Sequence, residues 1–380
     1  LKCSTCHRIR GEGGAIGADL SNLAYRDAAS VLRDIKEPSA LINPDYVTYN
    51  VVTSDGTGLT GFVKEQEANA LRLMTADGKE HVIPRGDIRE MRVSSVSLMP
   101  TGLIDALKEE QVRDLLTFLL SEPPKRTRAE VEAVINASKR QQTPIGSRKL
   151  EIVLVASKQD HGPGQHDYPA WQKKWQTLLG QASNVVVNTA WEWPSKEQFQ
   201  TADLIVLYFW NHDWSTERYR QLDEYLARGG GLALFHSATI ADSDPEQLAE
   251  RIGLASQPQR TKYLHTPIDL RIVAPEDHSI TRGLPRQIHF LDEPYWPMIG
   301  DASKVELLAT AVVEGEERPM IWTLQKGKGR VFASIPGHYT WTFDDPLFRV
   351  LALRGIAWAA GDSSGRLEKL ATTEANLKQD

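Results

Sequence analysis

The 380-residue sequence predicts a multidomain chain of two structural classes: a mainly α unit carrying an all-β insert, then an α/β unit built on an open parallel sheet. Three observations predict this. Helical periodicity near residues 27–36 and 103–119 brackets a stretch rich in β-branched residues and turn pairs. A continuous apolar run, Leu150-Glu151-Ile152-Val153-Leu154-Val155, opens an alternation of strand-like and helix-like segments at the spacing of βαβ units. Between the two, Glu122-Pro123-Pro124-Lys125-Arg126 and Gln141-Gln142-Thr143-Pro144-Ile145-Gly146-Ser147 have the composition of a connector. The expected divisions are 1–122, with the insert at about 46–93, a linker at 123–148, a second domain at 149–362 and a tail at 363–380.

The chain opens on Cys3-Ser4-Thr5-Cys6-His7. Two thiols one turn apart can each form a thioether to a haem vinyl group, and the next imidazole then lies where it ligates the iron. A zinc site would want a second Cys or His pair, but Cys3 and Cys6 are the only cysteines. A redox dithiol would follow a strand in a βαβ unit, and none precedes Cys3. One covalent haem c is therefore expected, held by Cys3, Cys6 and His7.

The glycines at 11, 13, 14 and 17 let the backbone approach a flat ligand. Ala28, Val31, Leu32 and Ile35 form one helical face, stopped by Pro38. Tyr46–Val52 and Ala70–Met74 read as strands, with Asp55-Gly56 and Asp77-Gly78 as hairpin turns in an insert of four or five strands. Helical spacing resumes at about Gly102 through Leu103, Ala106, Leu107, Val112, Leu115, Leu116 and Leu119. Met99, just before that helix, is the expected distal ligand, a thioether that raises the iron's potential relative to a second imidazole.

The order of haem motif, Gly17-Ala18-Asp19-Leu20, Lys36-Glu37-Pro38-Ser39, Leu59-Thr60-Gly61, Ile83-Pro84 and Ser97-Leu98-Met99-Pro100 resembles the haem-binding cytochrome c domains abundant in Planctomycetes and related bacteria. Such domains carry a helix before the motif. A helix and any signal segment are thus expected upstream of Leu1, and covalent haem implies assembly in the periplasm.

Net charge −6 and 25% charged residues argue against nucleic acid or an anionic membrane as partner. No run approaches the ~18 apolar residues of a spanning helix.

In the second domain, strands are expected at 150–155, 185–187, 204–208 and 231–235, with helices at 168–179 and about 216–227 between them. Residues 263–335 are richer in β pattern, and Asp345–Ala360 reads as a closing helix. Ligands of open sheets bind beyond the carboxyl ends of the strands. There stand His161 and His166, then Trp193, then Trp210-Asn211-His212, then His236, with Asp292-Glu293 and His338 further on. Imidazoles, carboxylates and indoles on one rim suit a polar ligand held by stacking and hydrogen bonds, as a sugar is. His265 and His289, in β-type patterns, are read as structural.

Gly229-Gly230-Gly231-Leu232 running into Phe235-His236-Ser237-Ala238, Asp277-His278-Ser279-Ile280-Thr281-Arg282-Gly283-Leu284-Pro285, Asp292-Glu293, Gly327-Lys328-Gly329-Arg330-Val331 and Gly337-His338 resemble the trehalose-utilisation (ThuA-like) family. Its fold is that of class I glutamine amidotransferases, an open parallel sheet of flavodoxin type. Cysteine-dependent amidotransfer is excluded, since both cysteines belong to the haem motif and the elbow reads Phe235-His236-Ser237.

The expected function is a periplasmic electron carrier fused to a ThuA-like domain that binds or processes a carbohydrate. His236, His212 and Glu293 are the catalytic candidates; His161, His166, Trp193, Trp210, Asn211, Asp292 and His338 are the binding candidates. The resemblance implies oxidised-sugar metabolism, with a redox partner protein such as a sugar dehydrogenase. Two alternatives stand beside it: a non-catalytic carbohydrate-docking module, and a hydrolase whose divalent metal, zinc or manganese, is held by His166, His212, His236 and Glu293.

Overall fold

The computed structural model describes residues 3–9, 12–14, 16–66, 69–120, 125–139, 148–162 and 164–378. The chain forms two compact units, Leu1–Pro123 and Pro124–Asp380. The connector segments 121–124 and 140–147 lie outside the described residues.

The first unit begins with one helical turn, α1 (Cys3–Cys6), followed by α2 (Ala28–Lys36). Asp27 caps α2 by accepting the Ser30 N–H at 2.8 Å, and Val31 buries the apolar face. Five strands follow: β1 (Thr48–Thr53), β2 (Gly58–Gln66), β3 (Ala70–Thr75), β4 (Glu80–Pro84) and β5 (Ile88–Val93). They form an antiparallel sheet in the order β4-β3-β2-β1-β5. Both expected turns are present, with Gly56 and Gly78 at φ +87° and +79°, the left-handed region that glycine enters without a Cβ clash. Val51, Leu71, Leu73 and Ile83 form a small core of their own.

This unit is β-rich, which corrects the expectation of a mainly α domain. Among the described residues, those of β1–β5 outnumber those of α1–α3, and α3 covers only Glu109–Leu119. Gly102 at φ +77° turns the chain, and residues 101–107 run through turns before α3 starts.

The second unit starts with α4 (Arg128–Lys139), whose Val131, Val134 and Ile135 join the main core. Then come β6 (Leu150–Ala156), α5 (Tyr168–Leu179), β7 (Val185–Trp191), α6 (Lys196–Thr201), β8 (Leu204–Leu207), α7 (Thr216–Ala227), β9 (Gly231–Phe235) and α8 (Pro245–Ile252). The chain ends through β10 (Thr266–Ile272), β11 (Gln287–Asp292), β12 (Glu306–Val313), β13 (Glu316–Lys326), β14 (Gly329–Ser334) and α9 (Pro346–Ala359). These strands make one nine-stranded sheet, β11-β10-β12-β13-β14-β9-β8-β6-β7. From β14 to β7 every pair is parallel, and from β13 outward every pair is antiparallel.

β6, β8 and β9 are almost wholly buried, as continuous apolar runs in a covered parallel sheet must be. α9 is buried on nearly all sides and lies against β9 and β14 at two glycines. A Cβ on Gly231 would meet the Ala359 carbonyl oxygen at 2.1 Å, and one on Gly355 would meet the Phe332 ring at 2.5 Å.

The stretch read as a tail packs too. Arg354 of α9, fully buried, donates to the Glu368 carboxylate at 2.8 Å and to the carbonyls of Ile280, Arg282 and Val134. One guanidinium thus ties α4, the 280–282 turn and the 364–372 segment to the central helix. Glu368→Ala leaves that cation buried without its counter-ion, and chemical denaturation should show a loss of about 3–5 kcal/mol. A loss under about 1 kcal/mol would mean that the three carbonyls suffice.

Candidate functional site

The carboxyl ends of the parallel strands deliver the site. The loop after β6 supplies Asp160, His161 and His166; the turn after β9 supplies His236; the segment after β14 supplies Gly337 and His338. The antiparallel extension supplies the rest. Thr266 at the start of β10 pairs with Asp292 at the end of β11, so the next residues outward, His265 and Glu293, meet. Two of the imidazoles stand on left-handed backbone, His166 at φ +44° and His236 at φ +51°, a conformation non-glycine residues adopt only when their surroundings enforce it.

His166, His236, Glu293 and His338 are all buried and present donor atoms within 4.8 Å of one another. Three of those atoms form a near-equilateral triangle. His236 Nε2 lies 3.0 Å from Glu293 Oε2, His338 Nδ1 lies 3.1 Å from the same oxygen, and the two ring nitrogens are 3.1 Å apart.

The proton positions follow from the outer partners. His236 Nδ1 is 2.8 Å from the Ile335 carbonyl, which only accepts, so Nδ1 carries a hydrogen and Nε2 is turned to the triangle. His166 Nδ1 donates to Asp160 Oδ1 at 2.7 Å, which leaves its Nε2 as a buried lone pair with no partner among the described residues. His338 Nε2 is likewise buried and unpartnered. Tyr295 lies 2.8 Å from His236 Nε2, and burial keeps this phenol protonated. Its one hydrogen serves one acceptor and leaves the other ring nitrogens unsatisfied.

Electrostatics reinforce this state. Burial holds His166 down to about 4, against the pull of Asp160, and holds His338 well below the usual imidazole range. Burial alone would raise Glu293, but His338, His265 and His236 outweigh it and keep the carboxylate ionised. Neutral imidazoles around a carboxylate are the protonation state that metal ligation requires. The 3.0 Å separation of His236 Nε2 and Glu293 Oε2 also suits neighbouring ligands with bonds of about 2.0–2.1 Å. One nitrogen each from His166, His236 and His338, with Glu293 Oε2, would hold a divalent cation such as zinc or manganese.

Asp292 supports the group from behind. Its buried carboxylate accepts the N–H groups of Gly337 at 3.1 Å, His338 at 3.1 Å and Glu293 at 2.8 Å, and the Thr342 hydroxyl as well. It therefore fixes the two site segments rather than facing a ligand.

The structure gathers six of the sequence-selected residues, His161, His166, His236, Asp292, Glu293 and His338, and sets four apart. His212 is exposed and bonded to Asp242 at 2.6 Å; Trp210 donates to the same carboxylate at 3.0 Å. Asn211 is buried against Arg218, and Trp193 lies under the Arg218 guanidinium at 4.6 Å. His265, read as structural, touches Glu293 Oε1 at 3.2 Å. Only the antiparallel register of β10 and β11 brings it there, and single-strand pattern carries no such signal.

In the first unit, α1 sets Cys3 and Cys6 one turn apart as half-buried free thiols. His7 Nδ1 is 2.7 Å from the Ala18 carbonyl, so Nε2 keeps the lone pair an iron would take. A Cβ on Gly17 would stand 2.6 Å from the His7 ring, so the chain lies flat on the imidazole. Met99 is half-buried in the turns before α3.

The sequence pattern of the family described as ThuA, trehalose utilisation, matches residues 152–359. Among curated proteins none is significantly similar. Solved structures that resemble the chain include two ThuA-like proteins. A putative ThuA-like protein from Parabacteroides merdae shows 20% identity over 61% of this chain and 93% of its own, with a TM-score of 0.46. Another from Bacteroides uniformis shows 16% identity over 60% and 98%, with a TM-score of 0.45.

A pH prediction follows from His166. Its folded pKa of about 4 lies below the ordinary 6.5, so between those values the unfolded chain binds a proton that the native one refuses. Its contribution is complete above about pH 6.5 and is lost toward pH 4, by on the order of 3 kcal/mol. Urea midpoints of chelator-treated protein should fall across that window, and His166→Gln should flatten the fall. An equal slope in the variant would show His166 is not the group.

Proposed function

This chain belongs to the ThuA family, and on that premise we propose that its second unit is a divalent-metal site acting on a polyhydroxylated carbohydrate. One observation carries the reading: His166, His236, His338 and Glu293 are all buried with donor atoms within 4.8 Å of one another, and the Nε2 atoms of His166 and His338 have no hydrogen-bond partner among the described residues. A bound divalent cation polarises a carbonyl or hydroxyl oxygen and lowers the pKa of water. Around it, Asp160 and the Ile335 carbonyl fix ring tautomers, and Glu293 supplies the negative charge. His161, half-buried, and His265 beside Glu293 are the imidazoles placed to move protons at the substrate. The carbohydrate comes from the family description, trehalose utilisation. His212 takes no part in the cluster, so the ligand set proposed is His166, His236, Glu293 and His338.

Elemental analysis of the purified full chain should give close to one zinc or manganese per molecule. The pair His236→Ala/Glu293→Ala should lose it, and His212→Ala should keep it. Full occupancy in the double variant would refute the site, and carbohydrate binding that persists in it without turnover would favour a docking module.

For the first unit we propose a covalently attached haem c, with Cys3 and Cys6 as thioether residues, His7 as proximal ligand and Met99 as distal ligand. The support is the motif, the His7 Nδ1–Ala18 contact and the lack of room for a side chain at position 17. Bound haem supplies one-electron transfer. A periplasmic location and a redox partner protein belong to this same proposal. Expressed with bacterial haem-attachment machinery, the chain should gain the mass of one haem, and Cys3→Ala/Cys6→Ala should abolish it. Met99→Ala should shift the reduction potential. Unmodified thiols under those conditions would refute the haem.

A further inference from the structure

We infer that Asp160 is a positioning residue that aims the imidazole of His166 at the metal and locks a second imidazole, His161, at the half-buried edge of the site. The inference rests on the metal-site reading above. One carboxylate oxygen, Asp160 Oδ1, lies 2.7 Å from His166 Nδ1 and 2.8 Å from His161 Nδ1. The two rings are held with centroids 3.9 Å apart. Tyr168 steadies the carboxylate from 3.1 Å and is itself 2.9 Å from Ser237, the residue after His236.

The chemistry of the arrangement is specific. A carboxylate accepts and never donates, so Asp160 fixes the hydrogen of each ring on Nδ1 and leaves each Nε2 as the basic atom. For His166 that atom is buried and unpartnered among the described residues. The charge on Asp160 also makes His166 a stronger donor to a cation. Burial would raise the Asp160 carboxyl, but the His161 and His166 N–H groups outweigh it and keep it ionised. The short O···N separations suit hydrogen bonds better than a shared second ion, whose ligands would stand about 3.0–3.4 Å apart at ordinary bond lengths. Asp160 therefore acts through His166 and does not itself ligate.

Cobalt(II) loaded into the full chain is the probe. Its affinity is read by competition with a chelator, and its visible d–d absorption reports the ligand field. Asp160→Asn, which keeps one acceptor oxygen but loses the charge, should weaken cobalt binding about 10-fold, and Asp160→Ala about 100-fold. Both should retain one ion per chain, with the absorption band shifted. Asp269→Asn removes a comparable carboxylate–histidine contact, that of the exposed His289, and should change nothing. Thermal melts of the metal-free proteins show whether each variant folds, and if Asp160→Ala does not, Asp160→Asn decides. Wild type that binds no cobalt would overturn the metal site and this inference with it. Wild type that binds while both Asp160 variants match it would overturn the inference alone. Two ions in wild type falling to one in the variants would instead make Asp160 a direct ligand, and would equally overturn it.

Discussion

The second unit is organised around one buried carboxylate, Glu293, ringed by the imidazoles of His236, His265 and His338. Glu293 is 4% exposed, and His236 and His338 are fully buried beside it. Burying an unpaired charge costs several kcal/mol. A proton on His236 would answer Glu293 but would leave the Nε2 atoms of His166 and His338 buried without partners among the described residues. In the proposed site a divalent cation would answer the carboxylate and both nitrogens at once. The rest of the second unit can be read as the scaffold that makes so costly a convergence stable.

That scaffold uses two kinds of strand pairing. The parallel half, β14 through β7, is an apolar slab whose carboxyl ends hold His166, His236 and His338. The antiparallel half carries Glu293 and His265 to the same place on the ends of β10 and β11. Asp292 joins the halves, because its carboxylate on the antiparallel side accepts backbone N–H groups from Gly337 and His338 on the parallel side. Burial pushes its carboxyl upward, against His236, Thr342 and the backbone donors that favour the ionised form. The backbone strain at His166 and His236 sits at the same end, where the packing can enforce it.

Much of this was legible in the sequence. The parallel strands show as apolar runs, and the residue after each strand is where open sheets place ligands, so His166, His236 and His338 were found by position. Other features are properties of pairing rather than of pattern. His265 enters the site through a register, and His212, which stands beyond a strand just as the others do, turns outward to Asp242. The 364–372 segment has the polar composition of a tail yet is held by one buried ion pair with Arg354. In the first unit the hairpin turns announced the sheet, while Gly102 and the turns after it shortened a helix whose spacing alone ran longer.

The two proposed sites would fix an ion by contrasting means. The haem proposed for the first would be held covalently from a turn of helix beside a glycine-flanked imidazole; the metal proposed for the second would be held by noncovalent donors from four separate loops. The second arrangement is the stronger physical claim, because it rests on unsatisfied atoms rather than on a motif. Anomalous diffraction from crystals of the protein, recorded on both sides of the zinc and manganese absorption edges, tests it most directly. The account predicts a single peak bonded to His236 Nε2, Glu293 Oε2 and one nitrogen each of His166 and His338. A well-ordered cluster with no anomalous scatterer, its ring nitrogens paired by protons and water, would contradict it.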